Sequence, residues 1–268
     1  MMTGAGSSWE GLSEADLGAR WARDHVTVMA SVDSTNDEAK RLADRVAPAG
    51  TIVIAGEQTR GRGRAGRSWA SPAGAGVYLS MVFRPEVLKD AGPVSILAGL
   101  GIVRALDEAF PDLHPQLKWP NDLYADGLKF GGILTEAAWT GKTPRYLVAG
   151  AGINVRPLGA GISERIARKA TSIDEETERT ESLLTVADAV VAGLEAHLAA
   201  PVPVLGSADL GDLDRYDGMR DRRGSLVVST EEEPLPGTCV GIAPDGALLF
   251  RPDRGALRRV MDGTLIPE

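Results

Sequence analysis

The chain holds a single cysteine, Cys239, so no disulfide can form within it. That usage fits a reducing compartment. No apolar run reaches the roughly 18 residues a membrane span requires. The most apolar stretch, 93–110, is broken by Ser95, Arg104, Asp107 and Glu108 and reads as a core helix. Residues 1–11 lack a cationic segment followed by an apolar one, so they carry no secretory signal. A cytoplasmic protein without membrane association is expected. Excess positive charge is missing as well: 29 Lys and Arg stand against 37 Asp and Glu, a net charge of −8. Dedicated nucleic-acid binders need a positive face, so specific DNA binding is not expected. Internal repeats and low-complexity tracts are also absent.

With 268 residues, 43% of them hydrophobic, the chain can build one large domain and a small appendage. A strand over 26–32 is followed by helix signals: Ser34 with Asp37, or Thr35 with Glu38, fits the capping box. Ala39, Leu42, Ala43 and Val46 then share a helical face. Further strands are expected at 51–55, 77–83, 128–137 and 145–155, with a turn near 140–144. Helices are expected at 13–23, 93–110 and 183–198. Beyond a Pro/Gly/Ala-rich stretch at 200–211, short strand-like runs (225–229, 238–242, 247–250, 256–261) alternate with turns, the pattern of a small β-barrel. Glu231 to Glu233 reads as a solvated acidic turn. The expected architecture is α+β, a mixed-sheet domain over 25–215 behind an N-terminal segment 1–24, with a small all-β domain over 216–268.

Four segments carry chemistry. Arg60, Arg62, Arg64 and Arg67 fall in a glycine-rich stretch, 61–76, that has no periodicity and reads as a long loop. Glycine lets backbone N–H groups approach a ligand, and arginine offers a permanently charged fork for carboxylate or phosphate. The Walker ending is missing. Taken alone, this loop equally fits a general polyanion-binding tract. In Lys118-Trp-Pro-Asn-Asp122, the amide and carboxylate of Asn121 and Asp122 suit a hard ion such as magnesium beside a phosphate; a self-capping turn is the alternative. Lys129 beside Gly131 and Gly132 in an apolar strand suggests a cation where a ligand comes close; a solvent-facing lysine is the alternative. Gly150-Ala-Gly-Ile-Asn154 leaves room for a flat ring, or forms a bulge with a structural asparagine.

The order of these segments is more specific than any one of them. Ser34-Thr-Asn36, Glu57-Gln-Thr-x-Gly-Arg-Gly-Arg-x-Gly-Arg-x-Trp69, Lys118-Trp-Pro-Asn-Asp122, Lys129-x-Gly-Gly-Ile-Leu-x-Glu136 and Gly152-Ile-Asn-Val155 together resemble the biotin protein ligase family. The resemblance is specific over 31–155 and looser toward the C-terminus, where it implies an SH3-like tail. It implies ATP-dependent conversion of biotin to biotinyl-5'-AMP and transfer to a lysine of a biotin carboxyl carrier domain, with Mg2+ as the activating ion. Carried to matching positions, it implies that Ser34, Thr35, Asn36, Gln58, Gly61, Arg62, Gly63, Arg64, Lys129, Gly131 and Gly132 meet biotin. Arg64, Arg67, Trp69, Lys118, Asn121 and Asn154 would meet the nucleotide. Lys129, Arg64 and Asp122 would act in catalysis, Asp122 as proton acceptor for the incoming lysine; metal ligands stay unassigned. Only about 30 residues precede Ser34, too few for the winged-helix domain of the family's repressors. A monofunctional ligase, monomeric or weakly dimeric, is therefore expected. The alternatives are a ligase of the same fold acting on lipoate or another acid, and a biotin sensor without transfer.

Overall fold

The computed structural model describes residues 8–88, 92–159, 170–200, 205–228 and 233–268. Ser229 and the first two residues of the 231–233 acidic cluster fall outside them, as do parts of 1–11 and 200–211. The N-terminal helix α1 (Glu14–Trp21) starts with a reciprocal capping box between Ser13 and Asp16. Strand β1 (Val26–Val32), helix α2 (Thr35–Asp44) and strand β2 (Ile52–Gln58) follow as a βαβ unit. The two strands pair in parallel from Val26 opposite Ile52 to Val32 opposite Gln58. Their C-terminal ends therefore bring 34–36 and Gln58 to one place. The expected capping box at α2 does not form: Ser34 holds the N-cap position, but its hydroxyl makes no capping bond.

From β2 onward the sheet is antiparallel. β3 (Gly76–Phe83), β4 (Gln116–Lys118), β5 (Asp122–Ala125), β6 (Leu128–Thr140) and β7 (Thr143–Asn154) complete seven strands in the order β1-β2-β3-β7-β6-β5-β4. Side chains alternate across this sheet. Ile52, Ile54, Leu79, Met81, Leu147 and Ala149 join the main core with helices α3 (Gly92–Ala109) and α5 (Leu183–Leu198). On the other face, Ala39 and Ala43 of α2 pack on Val53, Val82, Tyr146 and Val148. Beyond the short reach of α2, that second face is left to the functional site. Helices α3 and α5 meet at two glycines: a Cβ on Gly101 would lie 2.0 Å from the Gly193 carbonyl oxygen, a contact no side chain tolerates.

A short helix α4 (Ile173–Thr177) and a helix α6 (Ser207–Tyr216) were not legible beforehand, α6 because its start lies in the Pro/Gly/Ala-rich stretch. The tail is an antiparallel sheet of β8 (Arg223–Val227), β9 (Leu235–Ile242), β10 (Leu248–Pro252), β11 (Arg258–Val260) and β12 (Thr264–Pro267), ordered β11-β10-β9-β8-β12. This is the expected small SH3-like unit, with one more strand, β12, than the sequence indicated. It shares its core with the larger sheet: Leu226, Cys239, Leu248 and Phe250 belong to the same apolar cluster as Leu117 and Trp119. The Trp119 Nε1–H donates to the Gly246 carbonyl at 3.0 Å, tying the two units together.

Asp217 lies in this joint, 8% exposed. Its Oδ1 accepts the Met219 N–H at 3.0 Å, and its Oδ2 has no partner among the described residues. Burial pushes the carboxyl up to about 6, with the Met219 N–H only partly opposing. An unfolded aspartate ionises near about 4. The folded chain thus binds more protons across that interval, and stability falls as pH rises through it. Asp217→Asn is expected to be more stable than the parent at pH 8 by about 1–3 kcal/mol, the gap closing below about pH 4. Equal melting of the two proteins at pH 8 would contradict this.

Candidate active site

The loop after β2 folds back on itself rather than staying open. Arg62 bridges Ser68, Gly63 N–H donates to Arg67 O at 2.7 Å, and Trp69 N–H donates to Gly61 O at 2.8 Å. The turn at its tip uses positive φ at Ala65 (54°) and Gly66 (73°). Gly61 serves a different purpose: a Cβ there would lie 2.4 Å from Trp69 O, so only glycine lets the loop close. The whole loop lies over the face of the sheet that α2 leaves uncovered.

Beneath it is a cavity of about 200 Å³. Ser34 from the N-cap of α2, Thr35 and Asn36 from its first turn, Gln58 from β2, Arg62, Gly63, Arg64, Arg67 and Trp69 from the loop, and Asn121, Asp122, Lys129 and Gly132 line it, along with Gly150 and Gly152. Most of the expected residues thus converge. Gly61 does not line the cavity, because it sits inside the loop. Gly131 does not either: strand alternation turns it to the core, where a Cβ would meet Ile153 and Leu123. Lys118 is 4% exposed and lies behind Asp122. Asn154 lines a second, smaller cavity of about 110 Å³ with Tyr124, Leu158 and Ala170.

Trp69, Ala70 and Lys129 border both cavities. The indole of Trp69 is the partition. It lies flat on Gly152, where a Cβ would come within 2.4 Å of Nε1. Lys129 Nζ stands 5.3 Å from the ring centroid, within cation–π range. The small residues of β7 were expected to make room for a bound ring. They make room first for the protein's own: Trp69 above Gly152, and the Asn36 carboxamide above Gly150, where a Cβ would lie 1.8 Å from Oδ1.

The charge of the larger cavity opposes that of the chain. Arg62, Arg64, Arg67 and Lys129 line it, against Asp122 as the only carboxylate among its described lining residues. Asp122 is itself shared, one oxygen with Lys129 and the other with Lys118 at 3.3 Å. Burial pushes the Lys118 ammonium down, and Asp122 only partly offsets this. Arg64 reaches across to the tail and pairs with Asp262, with Gly263 O 3.5 Å from its second nitrogen. No sequence signal could have shown that contact, since almost 200 residues separate the partners.

A polar floor lies deeper. Gln58 Oε1 accepts Thr35 N–H at 2.8 Å, and Gln58 Nε2 donates to Ser71 Oγ at 2.8 Å. The Asn36 Nδ2 donates to Leu134 O and to Glu136 Oε2, at 3.1 and 3.0 Å. Glu136 also receives Lys40 at 2.8 Å and Arg62. Burial raises the Glu136 carboxyl, but the bonds from Arg62, Lys40 and Asn36 outweigh it and bring it down to about 2. Ser80 and Glu136 were not assigned roles from the sequence. For Ser80 the signal was available: it is a lone serine among the apolar and aromatic residues of β3.

The fold and site together are a mixed sheet with a cationic, loop-covered cleft at the ends of its parallel strands, divided in two by an indole and suited in charge to an anionic ligand. Residues 28–154 match the biotin/lipoate A/B protein ligase family. The chain is 32% identical to the biotin–[acetyl-CoA-carboxylase] ligase of Paracoccus denitrificans, over 85% of this chain and 95% of that protein. It is 35% identical to the bifunctional ligase/repressor BirA of Bacillus spizizenii over 56% of this chain, and this match spans about half (46%) of that relative's length. Among solved structures, a variant biotin protein ligase from Aquifex aeolicus in complex with biotin superimposes with a TM-score of 0.73 at 25% identity, covering 91% of this chain and 99% of that one. The chain belongs to the biotin protein ligase family. No helix among the described residues is long and apolar enough to cross a membrane.

Proposed function

We propose that this protein activates biotin with ATP and transfers it to a lysine of a carboxylase's biotin carboxyl carrier domain. The single observation that supports this most is the twin cavity with Lys129 on its dividing line. A carboxylate reaching that line from the larger cavity would meet a phosphate reaching it from the smaller one.

In the first step a carboxylate oxygen of biotin attacks the α-phosphorus of ATP, and pyrophosphate leaves with the bond's electron pair. Negative charge gathers on the phosphoryl oxygens. Lys129 is the cation at that junction, with Arg64 and Arg67 on the wall of the larger cavity, and preorganised charge in a closed site lowers such barriers. Binding the nucleotide phosphates at Arg64 requires Asp262 to yield its place. Trp69 and Asn154 border the smaller cavity, which takes the adenosine. The donors beside the cleft also suit magnesium: the buried Asn121 Oδ1 accepts no hydrogen bond among the described residues, and Asp122 presents a carboxylate next to it. Magnesium bound there with the nucleotide supplies charge neutralisation. In the second step the acceptor lysine's amine attacks the acyl carbon and AMP departs. Asp122, the carboxylate in the cavity, receives the ammonium proton. The loop excludes water from the anhydride between the two steps.

Exchange of labelled pyrophosphate into ATP is expected to depend on added biotin and to stay at background with lipoate. Exchange supported equally by lipoate would assign the protein to another acid. Exchange without transfer to a carrier domain would identify an activating sensor.

A further inference from the structure

Glu136 stands behind the lining residues Asn36 and Arg62 of the larger cavity, and its one carboxylate joins three parts of the site. It receives Asn36 from the start of α2, Lys40 one turn later, and Arg62 from the loop. Asp37 completes the cluster, 2.9 Å from Lys40 and 3.0 Å from Arg62. The Glu136 side chain keeps only 25% of its exposure, so this charge is poorly hydrated and depends on those partners.

The proton count fixes what the Asn36 carboxamide does. Ser80 Oγ lies 2.6 Å from Asn36 Oδ1 and 2.9 Å from Thr35 Oγ1. A hydroxyl has one proton, and an amide oxygen can only accept. The Ser80 proton therefore goes to Asn36, whose two N–H bonds go to Leu134 O and Glu136. Flipping the amide would set its oxygen against a carbonyl and a carboxylate and its NH2 against the Ser80 proton. Both Asn36 N–H groups and one lone pair of its Oδ1 are thereby used within the protein. Asn36, which lines the cavity, also holds Ser80 in place, and Ser80 contacts Thr35. The hydroxyl of Thr35 donates its own proton to Gln58 Oε1 at 3.1 Å, so toward the cavity it offers a lone pair.

We propose that Glu136 is the positioning residue of the acid-binding cavity: it orients the Asn36–Ser80–Thr35 chain along the floor and holds Arg62, and with it the loop, over the same ligand. The inference rests on the reading that the larger cavity takes biotin. It makes a distinction that a stabilising ion pair would not: loss of Glu136 harms the acid and its adenylate, while the nucleotide cavity, beyond Trp69, is untouched.

The test uses the full chain with Glu136→Gln, which keeps the shape and removes the charge. Biotin binding by titration calorimetry is expected to weaken about tenfold, and release of preformed biotinyl-AMP to quicken by a similar factor. KM for ATP should stay within twofold. Ser80→Ala, at the other end of the chain, is expected to weaken biotin binding but leave adenylate release nearly unchanged, because Arg62 is still held. If Glu136→Gln does not fold, Glu136→Asp, which withdraws the charge by one methylene, takes its place with the same expectation. Unchanged biotin affinity, or equal losses for biotin and ATP, overturns the proposal. Absence of biotin-dependent exchange in the unmutated chain instead overturns the functional reading on which it rests.

Discussion

Lys129→Gln is expected to slow biotin-dependent ATP–pyrophosphate exchange by roughly 100- to 1000-fold, the usual cost of losing one preorganised charge at a reacting oxyanion, about 2.7–4 kcal/mol. Lys129 is the cation bordering both cavities, so no arginine of the loop can substitute for it at the junction. Its loss has a second consequence. Asp122 would keep only Lys118, at 3.3 Å, and would turn a less compensated negative charge toward an anionic ligand. Biotin affinity should therefore fall together with the rate. Asp122→Asn in the Lys129→Gln background should recover part of the binding but little of the rate, because the repulsion is gone and the cation is still missing. Lys129→Arg should retain more activity than Lys129→Gln. Exchange rates and calorimetric titration of each variant check these outcomes; a Lys129→Gln protein within tenfold of the parent would remove the lysine from the reaction.

Gly152→Ala is expected to weaken ATP and adenylate binding by about 10- to 100-fold and to lower stability by about 1–3 kcal/mol, the range for an overpacked interior. The added methyl would sit 2.4 Å from Trp69 Nε1 and 2.8 Å from Cε2, so the indole must lift from the sheet. Its backbone cannot follow easily, since Trp69 N–H is held by Gly61 O at 2.8 Å. The partition between the cavities is then lost. Trp69→Ala in the same protein should relieve the clash: the double variant should be no less stable than Trp69→Ala alone. Such non-additivity is the mark of two groups competing for one space. Thermal melts and ATP titrations decide it, and simple addition of the two losses would mean that Gly152 matters for some other reason.

How much could be read in advance differed by element. β1, β3, β6 and β7 were legible because β-branched and apolar residues run in short blocks bounded by turns. Helix α5 was legible because its apolar face repeats at helical spacing over its full length. β12 was missed because the four residues Thr264–Pro267 carry too little pattern. The glycine pair at 131 and 132 was read as one feature, yet alternation sends the two residues to opposite faces, so that only Gly132 reaches the cavity. Asn36 lines the cavity as expected, but the partners that fix its amide were not legible. Those partners, Ser80, Leu134 and Glu136, come from strands 44 to 100 residues away.

The sequence by itself determined the kind of site this is: arginines, a lysine, an amide–carboxylate pair and glycine-bearing strands, in an order that resembles one family. Those are covalent facts, and the chemistry of an anion-binding pocket needs only the right residue types near one another. The tertiary structure decided how the residues divide their labour. Pairing of β6 with β7 placed Gly132 beside Gly152 and laid Trp69 across them, making two cavities from one cleft. Folding of the tail against the larger sheet gave Arg64 a carboxylate partner. The reason is physical: hydrogen bonds and ion pairs reach about 3 Å, so which groups remain free for a ligand depends on neighbours that the linear order leaves far apart.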